Sequence, residues 1–488
     1  MRAWSVPIRL SQVVNPLLVG LVAAASARGL LWATANLEGK WLIAIVVALF
    51  LPWVAVLARD LELFLLALFV FLLPINPDVN ISVPWLGRKV ALSACDLLLA
   101  GLYVTWMIRL IGARAQDRRV EVVPSISLPF GLLVLWSALA TLQRGPATGP
   151  PLALYQVFLF LKAWLAFLYL ANNVNQESRL LGVGIFLCLG ILAEGVLAFA
   201  QYFLGSTLGL GVLGEARHSL VFEEIGSSEL MRVGGTRVHP NALASFLVPM
   251  LSIVLALWLA GRRWWTRALA ALAFTVGLAT LVLTFSRGGW LSFVLVAPVV
   301  VALGAWKRWG VRKACTALAG FGLLAVLVLV PLWSSISQRL FEYDYGAAWS
   351  RVPQIHVASN VIKAHPILGI GLRNYRRVMG QYDDTIERIS LQTANPVHNM
   401  FLLTAAEAGL PALGFLLWLV VALFRRGWRG FRYGQGLQSL FCLGLLGSLS
   451  SYLIHGLVEY RYLQAHYLFP LLMGLLTAAS LQKTGAPR

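Results

Sequence analysis

The chain has 488 residues, of which 59% are hydrophobic and only 12% charged. Soluble domains carry roughly 25% charged residues, so a water-soluble globule is excluded and an integral membrane protein with many spans is implied. The net charge of +19, from 39 Lys+Arg against 20 Asp+Glu, reads in such a chain as a topology signal and not as a nucleic-acid footprint. A membrane helix needs about 20 mostly apolar residues. In chain order the candidate runs are 11–31, 41–58, 61–75, 90–111, 125–142, 152–171, 180–204, 239–260, 267–284, 288–304, 314–333, 398–424, 436–455 and 463–481. The first holds Arg28 and the third is short, so 12–14 spans are expected. The basic N-terminus, Met1 to Arg9, lacks a clear small-residue cleavage site and leads into the first run. It is read as a membrane helix and not as a cleaved signal. Cys95, Cys188, Cys315 and Cys442 fall far apart inside apolar runs and read as small core residues.

Loop charge orients the spans. Alternate loops hold Arg2, Arg9, Arg59, the Arg109–Arg119 cluster, Arg179, Arg262, Arg263, Arg267, Lys307, Arg308, Arg312, Lys313, Arg425, Arg426, Arg429, Arg432, Lys483 and Arg488, 21 bases in all. The short loops of the other set are poor in bases. The positive-inside rule then puts both termini in the cytoplasm and the two long loops, 205–238 and 334–397, outside. The organisation expected is an N-terminal bundle of about seven helices over 1–204, an outer loop over 205–238, helices over 239–333, a large outer loop or lid over 334–397, and C-terminal helices over 398–488. Within the lid, residues 349–364 have helical spacing and His365-Pro366 stops them.

Three outer positions share one arrangement. In R-V-H-P-N, Arg237 to Asn241, Pro240 fits the first position of a helix and His239 lies beside its N-terminus. In T-F-S-R-G-G-W, Thr284 to Trp290, Ser286 can cap a helix whose first turn holds Arg287 and Gly288. In N-P-V-H-N, Asn395 can cap, Pro396 takes the first helical position and His398 falls in the first turn, followed by Asn399. Helix N-termini carry partial positive charge and unpaired N–H groups. Together with Arg they suit a phosphate-bearing anion. The same field disfavours imidazolium, so His398 would stay neutral and could act as a general base. Metal ligation is not supported, because Asp383 and Asp384 are adjacent and would point opposite ways in an extended chain. Glu407, Asp96 and Glu194 lie inside spans, where they can pair with Lys162 or Arg28. No Walker-type glycine loop is present for ATP.

These motifs resemble the bacterial O-antigen ligase and O-antigen polymerase superfamily. The matching stretch runs from Arg237 to Gly414 and includes Ser286–Gly288, Trp349–Arg351, H-P-I-L-G-I-G at 365–371, and His398-Asn399 followed by Gly409 and Gly414. At Ala412 the ligase pattern favours Gly, Thr or Tyr, a departure that weighs against ligase and toward polymerase. The resemblance implies an all-α polytopic membrane protein of GT-C-like architecture in the bacterial inner membrane. Its site would lie at the periplasmic face. The implied reaction transfers a glycan from undecaprenyl pyrophosphate to lipid A–core, or to a second lipid-linked glycan, with no cofactor, metal or nucleic acid. Carried over, Arg287 and Arg351 would bind the pyrophosphate and His398 would deprotonate the acceptor hydroxyl. Arg237, His239, Asn241, Ser286, Gly288, Arg373 and Asn399 would line the substrate site. Two alternatives are a flippase for lipid-linked sugars and a peptidoglycan-type polymerase with Glu342 or Asp344 as its acidic residue. A flippase should carry its bases near the midplane on broken helices within repeated halves, whereas here they gather at one face.

Overall fold

A computed structural model describes residues 60–75, 78–83, 88–112, 120–143, 150–225, 228–341, 351–392, 395–460 and 467–481. By internal contacts the chain divides into residues 1–64 and 65–488. Of the first unit only residues 60–64, at the start of a helix, are described. The first two candidate spans, Arg28, Glu342 and Asp344 lie outside the described residues.

The protein is an all-α polytopic membrane protein. Helices α1 (Leu61–Leu72), α2 (Ala94–Gly112), α3 (Pro124–Gln143), α4 (Pro150–Asn173) and α5 (Glu177–Leu204) come first. Then follow α6 (Pro240–Ala260), α7 (Trp264–Leu283), α8 (Arg287–Trp309) and α9 (Val311–Leu329), which a 3-10 turn joins to α10 (Trp333–Phe341). The long loop contains α11 (Arg351–Ala364) and the short turns α12 (Tyr375–Val378) and α13 (Ile389–Gln392). The chain then runs through α14 (Met400–Tyr433), α15 (Gly436–Gly456) and α16 (Leu468–Leu481). Among the described residues ten helices are long and apolar enough to span a bilayer, and α1 and α16 are shorter apolar helices.

Two antiparallel hairpins were not anticipated. Strands β1 (Asp78–Val83) and β2 (Arg88–Ser93) form one, so α2 starts at Ala94 and not at residue 90. Strands β3 (Leu220–Ile225) and β4 (Ser228–Val233) form the other, inside the loop 205–238. Both carry a period-two element that the search for long apolar runs passed over.

Helix α6 is the axis of the second unit. It is buried along nearly its whole length and touches α15, α7 and α8. Helix α9 is the opposite case: none of its most apolar stretch is buried. Cys315, on α9, is therefore exposed and not a core residue, while Cys95, Cys188 and Cys442 are buried as expected. Apolar residues facing outward are what a lipid-facing helix requires, since lipid tails are as apolar as a protein core.

The loop 351–397 has its own core. Val357, Ala358, Val361, Tyr375, Met379 and Ile389 pack with Val397, Leu403 and Ala406 at the start of α14. A break in α14 locks the two together. Gly409 takes φ 84°, ψ 170° in mid-helix, a conformation that is costly for residues with a Cβ. The backbone groups freed there bond to the H-P-I-L-G-I-G turn. Ile370 N–H donates to Ala406 O (3.0 Å), Gly371 N–H to Glu407 O (2.8 Å) and Leu410 N–H to Pro366 O (2.8 Å). Trp136 Nε1–H of α3 reaches Ala408 O at 3.1 Å. Pro411 needs no partner in the first turn after the break. The spacing from His398 to Gly409 thus measures two turns of helix between a cap and an interlock.

Candidate functional site

Helices α6, α8 and α14 present their N-termini at one end of the bundle, beside β3–β4 and the loop 351–397. The caps follow the sequence for the first two. His239 is the N-cap of α6, and its Nδ1 accepts from Asn241 N–H at 3.1 Å. Ser286 is the N-cap of α8, and its hydroxyl accepts from Gly289 N–H at 3.4 Å. Gly288 lies so close to the α15 end that an added Cβ would sit 2.6 Å from Val458 Cγ2 and 3.1 Å from the His455 ring. Arg287 is the first helical residue of α8 and is half-buried.

The third helix starts later than expected. Residues 395–398 are not helical, and Asn399, not Asn395, is the N-cap of α14. Its side-chain oxygen accepts from Phe401 N–H and Leu402 N–H, both at 3.0 Å, and its amide donates to Leu457 O at 3.2 Å. Two asparagines four residues apart compete for one role, and tertiary bonds decide between them. His398 therefore stands just outside the helix, not in its first turn.

The His398 ring is fixed from three sides. Gln354 Oε1, from α11, lies 2.8 Å from Nδ1 and also accepts the His398 backbone N–H at 3.3 Å. An amide oxygen only accepts, so Nδ1 carries the proton in the neutral ring and Nε2 holds the lone pair. Nε2 faces Glu459 Oε1 at 3.8 Å. Tyr460 sits edge-on to the ring, with centroids 5.3 Å apart. Burial lowers the His398 pKa, Glu459 raises it, and Arg351 and Arg376 lower it further, with a net downward shift. The net downward shift favours the neutral ring, which is the state a base requires.

A chain of polar contacts runs from this ring across the bundle end. Glu459 Oε2 accepts from Asn241 Nδ2 at 3.1 Å, and Asn241 Oδ1 accepts from Arg232 at 2.6 Å. Arg232 Nε–H in turn donates to Thr284 O at 2.9 Å. On the other side, Arg376 donates to the Tyr460 hydroxyl at 3.1 Å. Glu459, Arg232, Gln354, Arg376 and Tyr460 were not singled out from the sequence. They come from four separate segments, with only Glu459 and Tyr460 adjacent in the chain, and the fold brings those segments together.

The geometry thus joins His398, Asn399, Asn241 and, through its field, Arg351. Arg237 points elsewhere: it donates to Leu73 O at 2.5 Å and lies over the Phe246 ring at 5.0 Å. Arg373 is exposed in the turn after Gly371, at φ 60°. Asp383 accepts from Ser390 N–H at 2.7 Å and Thr385 N–H at 3.2 Å. Although burial raises its pKa, bonds from the Ser390 and Thr385 hydroxyls and from these two backbone N–H groups hold it down at about 2. Asp384 faces away, toward His356 (3.0 Å) and Asn360 (2.8 Å). Asp383 is thus a loop-fastening group. Of the carboxylates in spans, Asp96 pairs with Lys162 at 2.9 Å. Glu194 accepts from Thr236 N–H at 2.7 Å, and Glu407 from Tyr375 N–H at 3.3 Å.

Residues 272–419 match the O-antigen ligase family model. The match supports the O-antigen ligase and polymerase superfamily for this chain. No curated protein matches it. The matched residues run from α7 to the middle of α14. They contain Arg287, Arg351, Gln354, Arg376, His398 and Gly409, but not Asn241 or Glu459. The family supports a ligase- or polymerase-type activity, and the helices make the chain a multi-pass membrane protein.

Proposed function

We propose that the protein is an inner-membrane glycosyltransferase that moves a glycan from undecaprenyl pyrophosphate to an acceptor hydroxyl at the periplasmic face. The observation that carries this is His398, held by Gln354 at Nδ1 with Nε2 turned toward Glu459, inside the O-antigen ligase match. His398 Nε2 takes the acceptor's proton and the acceptor oxygen attacks the anomeric carbon. The bond from that carbon to the pyrophosphate oxygen breaks, and its electron pair leaves with the lipid pyrophosphate. Arg287 and Arg351 hold the departing charge. A guanidinium does this bidentately and stays charged at every working pH. Glu459 balances the imidazolium that forms. No divalent cation is required, and the rate should be unchanged in EDTA. The acceptor is lipid A–core for a ligase or the next lipid-linked repeat unit for a polymerase. Ala412, buried in α14, is where the ligase pattern calls for Gly, Thr or Tyr, and this favours the polymerase.

The test is transfer by purified protein with a lipid-linked donor. His398→Ala should lose about 10²–10⁴-fold in rate with donor binding retained, because the arginines hold the donor. Near-normal transfer by His398→Ala would remove the base.

A further inference from the structure

The opposite end of α14 carries a second polar site. Trp418, Val421, Ala422, Arg425, Arg426, Arg429 and Tyr433 line a cavity of about 490 Å³. Their spacing of three and four residues puts them on one face of the helix. The face runs for about 22 Å, apolar at Trp418 and Val421 and then basic at the three arginines. Ser125 of α3, Gln438 of α15 and Ser480 of α16 close the cavity. Arg426 is fixed by a 2.6 Å bond from Nε to the Ser480 hydroxyl. A second cavity, of about 710 Å³, opens on its other side, between residues 120–124 and Leu481. Glu121 lines that second cavity together with Arg426.

We infer that this groove binds the head group of an anionic phospholipid, with an acyl chain lying along Trp418 and Val421. Arginines placed only to orient the protein would need no shared cavity. Here Arg425, Arg426 and Arg429 line one space together with Tyr433, Ser125, Gln438 and Ser480, the last two tied to Ala479 O and Thr477 O, and the apolar part of the same helix face continues along Trp418 and Val421. A phosphate diester with a tail matches both halves, whereas a free anion matches only the basic half. The site is some 30 residues of helix away from His398 and does not depend on the transfer reaction.

The experiment is native mass spectrometry of the full-length, delipidated protein with phosphatidylglycerol, cardiolipin or phosphatidylethanolamine. The two anionic lipids should be retained over phosphatidylethanolamine. Arg425→Gln/Arg429→Gln, which changes two exposed side chains, should weaken them on the order of 20-fold, about fivefold per arginine. Adding Arg426→Gln should weaken them further. The inference is overturned if phosphatidylethanolamine binds equally or if the double variant retains anionic lipid unchanged. It is also overturned if millimolar inorganic phosphate displaces the lipid, which would make this a site for a soluble anion.

Discussion

At His398 two kinds of neighbour pull in opposite directions. Glu459 raises its pKa while burial, Arg351 and Arg376 lower it. If the rate depends on neutral His398, it should fall as pH drops through a value below the ordinary ~6.5. Glu459→Gln removes the raising influence, so the acid limb of the pH–rate profile should move to lower pH. Arg351→Gln removes a lowering influence, so the limb should move up. An identical acid limb in both variants would show that the rate does not report this ring. The partners that set this balance were the least legible part of the site. His398 and Asn399 stand next to each other in a short motif, but Glu459 lies about 60 residues further on and Gln354 about 45 before. Nothing in their local sequence marks them. The caps at His239 and Ser286 were legible because a cap depends on its own next three residues.

The elements show the same division. Long apolar runs gave the helices, and charge in a low-dielectric setting gave the expectation of carboxylate–base pairing inside spans, but only the fold selects Asp96 with Lys162 from the possible partners. The hairpins escaped because strands of six residues are shorter than the span that signals a membrane helix. The break in α14 is visible in sequence only as Gly409 and Pro411, two residues common in membrane helices. Its purpose is set by the loop that fills it. A Cβ at 409 would lie 1.9 Å from Ile367 O, and the backbone conformation alone costs on the order of 1–3 kcal/mol for a residue other than glycine. Gly409→Ala should therefore lower the thermal midpoint of the purified protein by several degrees. It should also loosen the turn 366–371, seen as faster amide exchange at Ile370 and Gly371. An unchanged midpoint and unchanged exchange would mean that the interlock contributes nothing to stability.

For the whole molecule, the proposal requires the loop 351–397 and His398 to face away from the cytoplasm. Ile386 is 98% exposed in that loop, and Cys315 is the one exposed native thiol among the described residues. In a Cys315→Ser background, Ile386→Cys should react with a membrane-impermeant maleimide added to intact spheroplasts. Reaction only after lysis would reverse the orientation and place the site on the wrong side for a lipid-linked glycan. Loop charge sets the sidedness expected here, since alternation of helices fixes which ends lie together and the positive-inside rule says which compartment they meet.

A rod of 34 residues is about 51 Å long, well beyond the ~30 Å hydrocarbon layer. Because α14 is jointed at Gly409, its lower length and its first two turns have separate axes. Thinning or thickening of the surrounding bilayer can tilt the lower length, while the turns below His398 stay clamped to the loop. Catalytic geometry in this protein should thus be insensitive to acyl-chain length, even though the tilt of α14 is not.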